Sequence, residues 1–216
     1  GGQITRQYPF LQMEIPYDQY VLSVVMTPSE CIDSGTGQVM DHTKDILLAT
    51  TVVPKNQLSM VIRNATEWNQ VMSQYKDSYG NFEIQGDIDA STLPAGESLI
   101  TGVRVNRLIS YSDRYTIKNV TIDSKNLYEA VIKEVATEVT NLKFEDISIR
   151  YTGTAANFNV GVIGQNNGRI HDVEFNRIKI EAGRTHYAGC IGASKGDLEN
   201  IKLTDIQASS TNNYQN

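Results

Sequence analysis

Residue types able to do chemistry are few and scattered in this 216-residue chain: His42, His171 and His186, Cys31 and Cys190, and 25 acidic side chains. His171-Asp172 is the adjacent pair from which a general base with an orienting acid would be built. Neighbours on one strand face opposite ways, however, so the two are read as pointing apart, with Asp172 holding a turn. Asp87-Ile-Asp89 offers two carboxylates to calcium but lacks the glycine and closing glutamate of an EF-hand loop. The chain contains no H-E-x-x-H, no G-x-S-x-G, no P-loop and no Rossmann glycine pattern. Cys31 and Cys190 stand outside C-x-x-C spacing and each reads as a buried or unremarkable thiol, not as a zinc ligand or part of a disulfide framework. Asn64-Ala-Thr66 and Asn119-Val-Thr121 match the glycosylation acceptor, but a helix cap and a turn already explain both asparagines. The residues therefore nominate no catalytic, cofactor-binding or metal-binding side chain.

What must be positioned, then, is a scaffold, and its repeats are legible. Val139-Thr-Asn-Leu-Lys-Phe-Glu-Asp-Ile-Ser-Ile149, Ile170-His-Asp-Val-Glu-Phe-Asn-Arg-Ile-Lys-Ile180 and Leu198-Glu-Asn-Ile-Lys-Leu-Thr-Asp-Ile-Gln-Ala208 align without gaps. Apolar residues fall at relative positions 1, 4, 6, 9 and 11, which spells two short strands with a corner between them. Seven residues ahead of each copy stand Ile132, Ile163 and Ile191. The last two lie in Val160-Gly-Val-Ile-Gly164 and Ala188-Gly-Cys-Ile-Gly192, while Ala130-Val-Ile-Lys-Glu134 lacks the glycines. Three short strands per 28 to 31 residues describe one rung of a parallel β-solenoid.

Stacked rungs convert sequence positions into columns. Asn119, Asn141, Asp172 and Asn200 are read as one turn column at relative position 3, a weaker rung beginning at Ile117. Lys143, Glu174 and Lys202 at position 5, and Asp146, Arg177 and Asp205 at position 8, alternate in sign and should attract between rungs. These charges are read as structural, since hydrolysis by paired acids needs two carboxylates facing one substrate.

Upstream, Asn64-Ala-Thr-Glu67 carries a capping-box pattern before Trp68, Val71, Met72 and Tyr75, which predicts an amphipathic helix over residues 65–76. Laid across the first rung, it would close an end that otherwise exposes core and unpaired backbone, with Trp68 as its anchor. Residues 81–89 alternate like a strand, and residues 92–113 are expected to form an irregular first turn. Tyr20 to Met26 and Ile46 to Val53 read as strands of a small antiparallel β-module or linker over residues 1–56, with Tyr8 to Ile15 as a third strand. The remainder, residues 57–216, is expected to be a helix-capped parallel β-helix of three to four rungs. Its next rung would run past Asn216, which points to a segment cut from a longer chain.

Composition narrows the partners. Nineteen basic against 25 acidic side chains give a net charge of −6 without runs of like charge, which argues against nucleic acid or anionic membrane. No apolar run approaches the roughly 18 residues of a membrane span. The Gly1-Gly2 start has no signal-peptide character and reads as a processing or cloning remnant.

Asn64-Ala-Thr-Glu-Trp-Asn-Gln-Val-Met72, Tyr79-Gly-Asn-Phe-Glu-Ile-Gln-Gly-Asp-Ile-Asp-Ala-Ser91, Ile117-Lys-Asn-Val120 and the Gly-Val-Ile-Gly and Asn-Ile-Lys-Leu rungs together resemble a known arrangement. It is that of the N-terminal region of the immunoglobulin A zinc metalloproteases of Gram-positive bacteria, over roughly residues 60–209. The resemblance implies a right-handed β-helix in a secreted or cell wall-anchored parent, zinc in that parent's catalytic domain, and a host protein, immunoglobulin A, as partner. The family's H-E-x-x-H has no counterpart here, so no catalytic residue carries over. Lys133-Glu134 departs from the glycine-containing turn. The expected role is a non-catalytic scaffold or substrate-recognition segment; the alternative is a stalk or binding domain of a bacterial surface adhesin, whose rungs share these glycines.

Overall fold

The computed structural model describes residues 19–26, 35–36, 46–54, 59–125, 130–153, 159–183 and 187–210. The chain divides into two compact units, Gly1–Leu58 and Ser59–Asn216. In the first, β1 (Gln19–Met26) and β2 (Ile46–Pro54) form an antiparallel pair whose register shifts between Val24 and Val25. Both segments are rich in β-branched residues, which favour the pleated backbone. The third strand expected over Tyr8 to Ile15 lies outside the described residues.

The second unit is a parallel β-solenoid of about four coils. It opens with β3 (Met60–Ile62), α1 (Ala65–Tyr75), β4 (Gly80–Ile84), β5 (Ile88–Asp89) and a 3₁₀ turn over Ala90–Thr92. The coils proper are built from β6 (Val103–Ile109), β7 (Tyr115–Ser124), β8 (Ala130–Thr140), β9 (Leu142–Tyr151), β10 (Asn159–Asn166), β11 (Arg169–Ala182), β12 (Tyr187–Ser194) and β13 (Asp197–Ser210). On one side β8, β10 and β12 stack with Ile132, Ile163 and Ile191 in register. On the next, β7, β9, β11 and β13 stack with Phe144, Phe175 and Leu203 in one column and Ile147, Ile178 and Ile206 in another. The apolar positions read from the repeat are thus the interior ones, and Phe144 and Phe175 stack with ring centroids 5.3 Å apart.

Helix α1 begins as its sequence dictates. The Asn64 side chain accepts the Glu67 amide at 2.9 Å, satisfying one of the orphan donors of the first turn. Its inward residues Ala65, Trp68 and Met72 are buried, and it packs against β3 and β5, the two strands that start the stack. Tyr79, with φ 51°, turns the chain back into β4.

The stretch over residues 92–113 is more ordered than its sequence suggests. It contains β6, which lies between β4 and β8 and buries Val103, Val105 and Leu108. Against β4 its register slips at Asn106, since Gly80 pairs with Val105 and Asn81 with Arg107, and that one extra residue breaks the alternation by which a strand is recognised.

Corners are made by side-chain-bearing residues in the left-handed region. Asn141, Asp172 and Asn200 have φ of 54°, 55° and 49°, and Asp146, Arg177 and Asp205 have φ of 52° each. Two such corners, five residues apart, bend β11 twice inside one continuous strand and produce the breaks between positions 1 and 4 and between positions 6 and 9 of the repeat. Asn119 belongs to the second column, not the first. Ile117 pairs with Phe144 and Val120 with Ile147, which sets Asn119 (φ 58°) beside Asp146. The two corners ask for the same residue types, so a short weak copy can be aligned to either.

Glycines serve close approach between coils. A β-carbon on Gly168 would drive into the carbonyl oxygen of Thr137, and one on Gly196 into that of Gly168. At Lys133, in the pair that replaces the glycine-containing turn, β8 bulges against β6: Val103 pairs with Ile132 and Arg104 with Glu134. Gly168→Ala is expected to cost about 1–3 kcal/mol, read as a lower urea midpoint at unchanged slope, because two backbones must separate to admit one methyl. Wild-type stability in that variant would show that the coils are not in contact at this corner.

Candidate functional site

A cluster of ionisable groups around His171 lies where β6, β8, β11 and β13 stack side by side. Parallel register places Arg107, Glu138, Arg169 and Asp197 in one column and Ile109, Thr140, His171 and Glu199 in the next. Two residues of the chain become neighbours here that a flat strand would separate. Because Asp172 is left-handed, its side chain does not alternate away from His171, and Oδ2 lies 2.8 Å from His171 Nδ1. His171 Nε2 lies 2.9 Å from Glu138 Oε1 on the preceding coil, and the Thr140 hydroxyl is 3.2 Å from Nδ1. The adjacent pair read as pointing apart is in fact joined, and alternation fails at the corner that Asp172 itself makes.

This geometry sets the charge of the ring. An imidazole can donate from both nitrogens to two carboxylates only as the imidazolium cation. Burial alone would disfavour that cation; the hydrogen bonds to Glu138 and then to Asp172 outweigh it and hold the pKa above the ordinary histidine value. Asp172 is held below the usual carboxylate range by Asn200, which donates to Oδ1 at 2.5 Å, and by His171. Arg107 faces Glu138 at 3.6 Å, and Arg169 is paired with Glu199. Both ring nitrogens are engaged by carboxylates, and in the imidazolium form neither has a lone pair to offer a metal ion or a substrate proton. What the arrangement does chemically is cross-link three successive coils with ionic hydrogen bonds.

Because the folded pKa of His171 lies above its unfolded value of about 6.5, the native state binds the proton more tightly and stability falls as pH rises. The His171 contribution is fully present below about pH 6.5 and disappears as pH passes through the raised folded value. His171→Gln is accordingly expected to melt well below wild type at pH 6, with the gap closing in alkaline buffer. A gap independent of pH would show that the ring is held neutral.

Other sequence candidates resolve in the same direction. Asp87 and Asp89 face an ammonium instead of calcium: Lys118 Nζ lies 3.3 Å from Asp87 and 3.7 Å from Asp89. Burial would raise the Asp89 pKa, but hydrogen bonds from Asn119 and Ser91 and the charge of Lys118 hold it low. Arg177 forks onto Asp146 at 2.6 and 2.7 Å and reaches Glu145 at 3.0 Å. At position 5 the alternation is only half used. Lys202 reaches Glu174 at 3.5 Å, but Lys143 turns to Glu145 within its own coil at 2.5 Å, and Glu174 takes Arg114 at 2.6 Å instead. Glu134, in the departing Lys133-Glu134 pair, accepts from Tyr79 at 2.6 Å and from Asn167 at 2.7 Å. Cys190 is buried, and that burial pushes its thiol up to about 11, so it is no nucleophile at neutral pH. His42, His186 and Cys31 lie outside the described residues. Among the described residues no group of three or more histidine, cysteine or acidic side chains could hold a metal ion, and no helix is long and apolar enough to cross a membrane.

Comparison with protein-family models, with curated proteins and with solved structures finds no match for this chain.

Proposed function

We propose that this chain is a non-catalytic β-solenoid segment of a larger secreted or cell wall-anchored zinc metalloprotease acting on immunoglobulin A, serving as scaffold and as a surface for the antibody. The observation that carries the reading is how the surface charges of the described coils are used. His171, Glu138, Asp172, Arg177 and Asp146 are committed to partners on neighbouring coils, which suits a rigid rod and leaves them unsuited to turnover. The helix cap and glycine-bearing rungs support the family assignment through the sequence resemblance. Zinc belongs, in this reading, to a catalytic domain elsewhere in the parent.

The test is direct. Immunoglobulin A is incubated with the purified chain and its heavy chain followed by electrophoresis, while binding is measured on immobilised antibody. Saturable binding without cleavage is the expected result. Cleavage by this chain alone overturns the non-catalytic role. Absence of binding, with binding to host glycans in its place, overturns the antibody partner and favours the adhesin.

A further inference from the structure

We propose that the end of the solenoid formed by β12 and β13 is a docking surface for one further parallel β-helix coil, and that the surface selects that coil by charge. Among the described residues β13 hydrogen-bonds to β11 alone and β12 to β10 alone, so each presents an unpaired backbone edge. Interior positions are bare on this side. Leu198 and Leu203 are 49% and 58% exposed, whereas Ile170 and Phe175, one coil back in the same columns, are fully buried. An edge that is both unpaired and apolar is a template for strand addition.

Register decides against a second copy of this chain as the occupant. Two copies meeting end to end about a two-fold axis would set β13 antiparallel to itself. Matching the left-handed corners then requires Asn200 to lie opposite Asp205, which puts Ile201 against Thr204, Leu203 against Lys202 and Ile206 against Glu199. Every apolar interior position would face a polar one. A parallel coil with apolar residues at positions 1, 4, 6, 9 and 11 meets the same edge without a mismatch.

Charge specifies the rest. Along the second corner column Asp146 is forked by Arg177, whose ionic contacts are Asp146 and Glu145. Asp205 follows Arg177 in that column and has no ionic partner among the described residues. The occupant therefore carries an arginine or lysine at position 8, as β11 does for Asp146. In the first corner column Asn200 gives one of its two amide hydrogens to Asp172, so its second hydrogen can serve an aspartate, and its carbonyl oxygen an asparagine, at position 3 of the occupant.

The chain itself supplies a probe. Residues 154–183 contain a coil with Asp172 at position 3 and Arg177 at position 8, and a second copy of this stretch can be appended after Asn216. Hydrogen exchange at the β13 amides is expected to slow about tenfold or more relative to the unextended chain, with the β9 amides as internal reference, while the protein stays monomeric. Arg177→Asp in the appended copy alone is expected to lose much of that protection, and adding Asp205→Arg to restore it. Leu203→Lys, on a side chain already exposed, should leave the unextended chain folded and abolish protection by the appended coil. Unchanged β13 exchange in the extended chain would overturn the proposal. So would protection indifferent to the charge swap, or concentration-dependent dimerisation of the unextended chain that protects β13.

Discussion

Phe175→Ala is expected to lower the unfolding free energy of the solenoid by about 3–5 kcal/mol, the range for deleting a fully buried aromatic. Phe175 sits in the middle of the coil stack, with Phe144 beneath at 5.3 Å and Leu203 paired above. Removing the ring forfeits its transfer free energy, a stacked contact of about 0.5–1.5 kcal/mol and the packing of both neighbours. The surrounding strands are pinned by corners on both sides, so the cavity has little freedom to collapse. Urea denaturation checks the value. A loss below about 1 kcal/mol would mean that the aromatic column is not a filled interior.

The second large effect is at the opposite end. Trp68→Ala is expected to cost about 3–5 kcal/mol, and to make the protein aggregate as it loses α1's hold on the first coil. Trp68 is fully buried in the same core as Ile62, Ile84 and Ile88, and its indole Nε1 donates to the Ile100 carbonyl at 2.9 Å. Trp68→Phe separates the contributions: it keeps most of the apolar contact and leaves the Ile100 carbonyl without its donor, for an expected loss of about 1–3 kcal/mol. If both variants melt like wild type, the helix is an ornament and not a cap.

Much of this was readable from residue order because the solenoid writes the same instruction three times. Gapless copies beginning at Val139, Ile170 and Leu198 fix the interior positions, and the break after position 6 marks a corner before any coordinate is known. Legibility failed where one rule masked another. Asn119 suits either of two corners with identical demands, so composition could not choose its column. β6 was hidden by a single extra residue at Asn106, since strand recognition rests on unbroken alternation. The His171 cluster was missed for a related reason: neighbours on a strand point apart only while the strand is straight, and Asp172 is the residue that bends it. The signal that could have found it was present in the corner column, which already named Asp172 as a turn. Glu138 could not have been paired with His171 without the register, because they are brought together by stacking across a 33-residue separation in sequence.

The stacking of coils also dictates how this molecule answers to force. Backbone hydrogen bonds link each coil to the next, so they lie along the axis on which the coils stack, and neighbouring coils are 28 or 31 residues apart in the chain. A tether pulling along that axis loads one coil's bonds at a time and peels it away like thread from a spool, each step releasing about 100 Å of chain. Tension applied across the axis would shear whole ladders at once and meet far greater resistance. A protein of this build is compliant as an extension spring and stiff as a beam.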